Sequence, residues 1–246
     1  MVIYIEDFKR RGITLDKAIS LVDQAYEEIK EKICNFELQP GQVVSDFTLS
    51  KEIGMSRTPI REALQRLERD GLVINAGLGK SYEVSRLTKE EIKELFDARL
   101  CIEVMAVRLI LEKENTELKI MELDRINHKM EAFNKEGKIY DAFRTDQEFH
   151  DYLVYISENK KLMRFHESLL MQLRRIRKLS YLERTHQDKA FREHDRVLDN
   201  LKKGNSQEAQ KAIAEHIETS KEDYLDLIGD EEKMHDFGVL RFFAKR

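Results

Sequence analysis

The stretch Ser56–Leu72 sets the tightest limit on how this chain can fold. Ser56 stands where an N-cap belongs, able to accept a bond from an unpaired N–H of the first helical turn. Pro59 falls in that turn, where its missing N–H removes no intrahelical bond. Ile60, Ala63, Leu64 and Leu67 recur at i, i+3, i+4 and i+7 and form one buried face. Gly71 supplies the left-handed residue that ends a helix. On another face Arg57, Arg61 and Gln65 are spaced four apart, which leaves two guanidiniums and an amide free to probe a groove. The same spacing also fits an ordinary amphipathic surface helix with scattered arginines.

Composition favours a helical protein around this segment. Only 10 glycines and 2 prolines occur in 246 residues, and 37% of side chains are charged, a balance suited to helices with solvated outer faces. That length allows one to two domains and a substantial core. Cys34 and Cys101 form no CxxC pair and fit a reducing compartment better than a disulfide framework. Met1–Arg11 lacks the apolar core of a signal peptide. No apolar run approaches the roughly 18 residues that a membrane span needs. The expectation is a soluble, cytoplasmic protein with no membrane partner. Net charge is −4 overall, but Lys51–Arg86 holds seven Lys/Arg against five Asp/Glu, a net of +2. Nucleic-acid binding would therefore rest on the placement of particular arginines.

Along the chain, residues 1–17 are an extension without a readable role. A helical pattern runs from Ala18 to about Asn35 through Leu21, Val22, Ala25, Ile29 and Ile33. Gln39-Pro40-Gly41 reads as a turn. Asp46–Ile53 reads as a short helix, broken by Gly54 before Ser56. Two short helices joined by a tight turn, the second carrying arginines outward, make a helix-turn-helix. Leu72–Ile74 and Tyr82–Val84 are strand candidates flanking Gly77, Gly79 and Lys80. They suit a hairpin wing with Lys80 set for a phosphate, or a plain hairpin with an exposed lysine.

Thr88-Lys89-Glu90-Glu91 has capping-box spacing, so a new helix begins there and runs to about Glu112. Helical patterns follow over about 116–135, 140–157, 161–182, 189–202 and 207–228, and six helices without strand signals make a bundle. The expected fold is mainly α: a winged helix-turn-helix domain at 18–85, an all-α bundle at 86–228 and a tail at 229–246. Within the first bundle helix Arg99 falls on the core-facing stripe with Glu103 one turn on. A charge there is costly unless paired, so the two form an internal pair or Arg99 receives an anion.

Asp146 and His150 lie four apart on one helix, stacked on the same face among Phe143, Phe149 and Leu153. His194 sits among Phe191, Val197, Leu198 and Leu201. His216 sits with Ala209, Ala212 and Ile213. Three imidazoles and a carboxylate facing one core suit a borderline divalent cation such as zinc, nickel or manganese. Each histidine could also be a hydrogen-bonded core residue. A metal-dependent hydrolase would need a general base beside such a site, and none is evident.

Ser56-Arg57-Thr58-Pro59-Ile60-Arg61-Glu62-Ala63-Leu64, with Arg66-Leu67 and Gly71-Leu72-Val73 after it, resembles the recognition-helix signature of the GntR family of bacterial transcription regulators. The order of DNA-binding head, Thr88-capped helix, Arg99/Glu103, Asp146/His150, Glu193-His194 and His216 is similar to the FadR-type subfamily with its FCD effector domain, over about residues 18–228. The resemblance implies a homodimeric regulator, commonly a repressor, on a palindromic double-stranded DNA operator. Ser56, Arg57, Thr58, Arg61, Gln65, Gly77, Gly79 and Lys80 would meet DNA. It implies a metal on Asp146, His150, His194 and His216, and a small carboxylate effector near it with Arg99 as its partner. Two departures stand out. Phe47 occupies a position where some members carry a DNA-contacting arginine, and the N-terminal extension is longer than usual.

Overall fold

The computed structural model describes residues 20–77, 81–86, 88–180 and 184–229. The head begins with α1 (Leu21–Cys34), capped by Ser20, whose side chain accepts from the Asp23 N–H. Strand β1 (Val43–Ser45) leads directly into α2 (Asp46–Ile53). Ser45 and Thr48 form a reciprocal capping box at its start, and Gly54 ends it at φ 75°. Helix α3 (Arg57–Arg69) follows and carries the expected apolar face: Ile60, Ala63, Leu64 and Leu67 are all 0% exposed. Gly71 adopts φ 72° just past the helix end, where a Cβ would also press within 2.7 Å of the Gln172 side chain.

The wing is real but has one more strand than the sequence pattern signals. β2 (Val73–Asn75) and β3 (Ser81–Val84) pair antiparallel, Val73 opposite Val84 and Asn75 opposite Tyr82. The extra strand β1 pairs on the other edge of β3, Val44 opposite Tyr82, so the order is β1-β3-β2. β1 carried no sequence signal because, unlike β2 and β3, it flanks no glycine-bearing hairpin turn and runs straight into α2. Its neighbour Gly41, in the expected turn, adopts φ 80°. Leu78, Gly79 and Lys80 lie outside the described residues, as do the whole N-terminal extension and the tail beyond Gly229.

Six helices form the second body: α4 (Lys89–Leu111), α5 (Glu117–Lys135), α6 (Ile139–Ile156), α7 (Lys160–Ser180), α8 (Arg184–Lys202) and α9 (Ser206–Gly229). Their shared core includes Phe96, Ile110, Leu123, Phe149, Leu153, Leu173, Leu198 and Ile213. Helix α8 starts earlier than the expected Lys189. The polar run before that residue contains no Gly or Pro, so nothing stops the helix from extending through it. No helix among the described residues is long and apolar enough to cross a membrane.

Helix α7 belongs to both bodies. Leu173 is buried in the bundle core, while Met171 packs on the core of the head. Tyr26 of α1 donates to Asp70 at 2.7 Å and lies 2.9 Å from the Met171 sulfur. Arg175, 1% exposed, donates from Nη1 to the Ser85 carbonyl at 2.8 Å. Burial lowers its guanidinium to about 10.

At the junction of the two bodies, Thr88 accepts from the Glu91 N–H at 3.1 Å and Glu91 accepts from the Thr88 N–H at 2.9 Å. Thr88→Ala is expected to lower stability by about 0.5–2 kcal/mol, read as a reduced urea midpoint at unchanged slope.

Candidate metal centre and DNA-reading face

Three helices bring three imidazoles to one point. The Nε2 atom of His150 on α6 lies 3.2 Å from that of His194 on α8 and 3.2 Å from that of His216 on α9, and the last two are 3.3 Å apart. All three rings are buried, and His194 stacks flat on Phe149 with centroids 3.9 Å apart.

The far side of each ring fixes its tautomer. Nδ1 of His150 faces Glu103 Oε2 at 2.7 Å, and Nδ1 of His216 faces Glu193 Oε2 at 2.8 Å. Nδ1 of His194 faces Asn127 Oδ1 at 3.3 Å. The Asn127 amide nitrogen is committed to the Phe191 carbonyl at 3.4 Å, so its oxygen must point at the ring. Each Nδ1 therefore donates, and each Nε2 turns a lone pair inward. Three lone pairs aimed at one point repel one another, and a cation between them removes the repulsion. A tetrahedral ion with bonds of about 2.0–2.1 Å to nitrogen sets its ligand atoms about 3.3–3.4 Å apart, close to the spacing found here. Oriented acceptors on the outer nitrogens are what a metal-binding histidine needs to hold its tautomer.

The fourth expected ligand sits slightly back. Asp146 Oδ1 is 3.7 Å from His194 Nε2 and 4.0 Å from His150 Nε2, wider than the spacing among the histidines. His166 is buried but stands apart, 3.1 Å from Asp151. Arg99 is 2% exposed, and its Nε donates to Glu103 Oε1 at 2.6 Å. The other oxygen of the same carboxylate holds His150. Arg99 Nη2 is buried with no hydrogen-bond partner among the described residues. The internal pair thus forms, and one guanidinium nitrogen remains for an outside acceptor.

On the head, Ser56, Thr58 and Gln65 are exposed along the face of α3 that carries Arg57. Two expectations need correction. Ser56 is the N-cap residue by position, but its side chain makes no capping bond. Arg57 and Arg61 are not free guanidiniums. Arg57 binds Asp46 Oδ1 through Nη2 at 2.7 Å and Nε at 3.2 Å, while Arg61 Nε lies 3.5 Å from Asp46 Oδ2. The reason is that α2 presents a buried carboxylate directly against α3. Gly77 adopts φ 72° in the wing, with its N–H bonded to Asn75 Oδ1 at 2.9 Å. The positions of Gly79 and Lys80 lie outside the described residues.

The profile of bacterial regulatory proteins of the gntR family matches residues 21–84, and the FCD domain matches residues 94–219. This chain belongs to the GntR family and carries an FCD domain. The HTH-type transcriptional regulator YdhC of Bacillus subtilis is 30% identical over 214 residues, covering 87% of this chain and 92% of YdhC. LutR, an HTH-type transcriptional regulator of the same organism, is 29% identical over 213 residues, covering 78% of this chain and 95% of LutR. Among solved structures, Escherichia coli McbR/YncC superposes with a TM-score of 0.67 at 22% identity, over 85% of this chain and 99% of that one, and shares the fold. The chain is accordingly a bacterial transcription regulator and not an enzyme.

Glu103, Glu193 and Asn127 were not foreseen as supports of the histidines. Glu103 was visible only as a neighbour of Arg99, and Glu193 only as the residue before His194. The geometry gives Glu103 a measurable role. Glu103→Gln should weaken zinc uptake by the purified chain about 10–100-fold in chelator competition, while His166→Ala should leave it unchanged.

Proposed function

We propose that the chain is a homodimeric, cytoplasmic repressor whose grip on a palindromic operator is set by a small carboxylate bound at a divalent metal in the helical bundle. The observation that carries the metal is the convergence of three Nε2 atoms at 3.2–3.3 Å, each ring pinned from behind. His150, His194 and His216 would hold the ion, with Asp146 close enough to join by a small side-chain shift. A metal there supplies a positive centre that can take one carboxylate oxygen of an effector. Arg99 supports the second contact, since its buried Nη2 can donate to another oxygen of the same ligand. Zinc and nickel suit the imidazole-rich set best, with manganese a further candidate.

On DNA, twofold symmetry would place two α3 helices in successive major-groove faces about 34 Å apart. Arg57 and Arg61 would reach bases or nearby phosphates, with Gln65 further along the same face. Ser56 and Thr58 would contact the backbone, and the wing residues Gly77, Gly79 and Lys80 would follow a neighbouring phosphate run. An effector that favours one bundle conformation shifts the balance between head arrangements and so changes operator affinity. Occupancy of the operator would then block transcription, and effector binding would release it.

The burial of all three imidazoles also suits a structural metal without an effector, and one set of measurements separates the two. Elemental analysis of chain purified without chelator is expected to find about one zinc or nickel per protomer. A panel of small carboxylates should contain members that weaken binding to a duplex selected by the protein from a random library. Chelation that lowers the melting temperature, with no carboxylate altering DNA binding, would establish the structural metal instead. Protein that neither contains nor takes up zinc or nickel would remove the site. Arg61→Ala is expected to cost about 1–3 kcal/mol of binding to the selected duplex if it reads a guanine. Unchanged affinity at fixed salt would remove Arg61 from the reading face.

A further inference from the structure

We propose that Asp46 is a positioning residue for operator reading, its buried carboxylate hydrogen-bonded to one edge of Arg57 and lying beside Arg61 Nε, so that the outer ends of both guanidiniums face the groove. The inference rests on the reading that Arg57 and Arg61 meet DNA.

The asymmetry of exposure is the starting point. The Asp46 side chain is 1% exposed, whereas those of Arg57 and Arg61 are 50% and 40% exposed. The carboxylate is thus fixed in the protein, and the arginines lean from it toward solvent. Its position is set by the fold. Asp46 is the first residue of α2, directly after the Ser45 cap, and the Ser45–Thr48 box locks that turn. Phe47 adds a second wall, its ring centroid 5.9 Å from the Arg57 guanidinium carbon and 4.2 Å from Lys51 Nζ.

The contact atoms say which edge of Arg57 is left for DNA. Asp46 Oδ1 takes Nε and Nη2, the inner side of the fork. What remains is the outer end, where Nη1 and the second hydrogen of Nη2 point the same way. That pair can meet the O6 and N7 acceptors of a guanine. Arg61 Nε lies 3.5 Å from the other carboxylate oxygen, an ion pair without a hydrogen bond, which leaves its outer end toward solvent. One carboxylate therefore does two things. It holds Arg57 and draws Arg61 alongside before DNA arrives, and it cancels one of their two charges. The first favours base reading. The second weakens attraction to phosphates irrespective of sequence. Both raise the ratio of specific to non-specific binding.

That double effect separates positioning from a simple structural tie between α2 and α3. The experiment uses the full-length, metal-loaded chain and Asp46→Asn, which keeps shape and removes the charge. The probes are the duplex that the wild type selects from a random library and a shuffled duplex of equal length, titrated across a salt series. Positioning predicts that Asp46→Asn binds the shuffled duplex several-fold tighter, with a salt slope steeper by about 1. It also predicts weaker binding to the selected duplex, so that the affinity ratio falls about tenfold or more. A purely structural role predicts that both affinities fall together alongside the melting temperature, and that result overturns the proposal, as does an unchanged ratio. Should Asp46→Asn not fold, Asp46→Glu keeps the charge but shifts the grip. It is expected to keep the wild-type salt slope while changing base preference at one position of each half-site, and an unaltered preference overturns the proposal. Arg57→Ala and Arg61→Ala are run beside these variants. If neither weakens binding to the selected duplex, the reading of the arginines fails and this role of Asp46 falls with it. If they do weaken it and the Asp46→Asn ratio holds, the reading stands and only the positioning role is lost.

Discussion

The joint between head and bundle is a buried guanidinium. Arg175 has almost no exposure, and its Nη1 holds the Ser85 carbonyl at 2.8 Å. Ser85 is itself tied into the head: its N–H donates to the Leu72 carbonyl and its hydroxyl to the Gly71 carbonyl at 2.7 Å. One arginine of α7 thus holds the strand that ends the wing and the turn that ends the recognition helix. Desolvation brings the group down to about 10, still far above neutral pH, so a full charge is kept in the interior. A buried charge is costly unless its donors find acceptors; the Ser85 carbonyl takes Nη1, while Nε has no hydrogen-bond partner among the described residues, which makes that carbonyl a fixed point. The reading helix is therefore not a loosely tethered module. Its C-terminal end is set by a helix whose other face lies in the bundle core.

The bundle has its own chain of buried charge. Arg99, Glu103 and His150 form one connected line, guanidinium to carboxylate to imidazole, and His150 then meets His194 and His216. Glu103, at 0% exposure, would be untenable alone in an apolar core. It is held because it accepts from a cation on one side and an imidazole N–H on the other. The arrangement ties Arg99, the expected effector contact, to the expected metal ligand His150 through a single carboxylate. A ligand bridging ion and arginine would thus act on both ends of an existing network and would not need to build one.

Much of this was legible in the sequence, and the limits were physical. Helix α2 was placed at its observed bounds because Gly54 breaks it. The capping box at Thr88 was read correctly because both partners lie within one turn. The three histidines were picked out because each lies on the apolar stripe of its own helix, a property of local periodicity. What local pattern cannot show is which residues meet across helices. Glu103 and His150 are 47 positions apart, and Asn127 and His194 are 67 apart. Strand β1 was missed since it pairs with a strand distant in sequence, with no hairpin turn beside it. Ser56 was right in place and wrong in chemistry, for an N-cap residue's oxygen need not turn toward the helix.

The most instructive miss concerns Arg57 and Arg61. Spacing four apart puts both on one face of α3, and an amphipathic pattern marks that face as wet. It does not say what stands opposite. Asp46, eleven residues before Arg57, belongs to a helix whose own pattern is short and whose acid looks like an ordinary first-turn residue favoured by the helix dipole. Packing α2 on α3 buries that acid and turns it toward the arginines. On the proposed reading, Asp46 cancels part of the positive charge that Arg57 and Arg61 would turn to DNA, so phosphate attraction falls and affinity would come from contacts that depend on sequence.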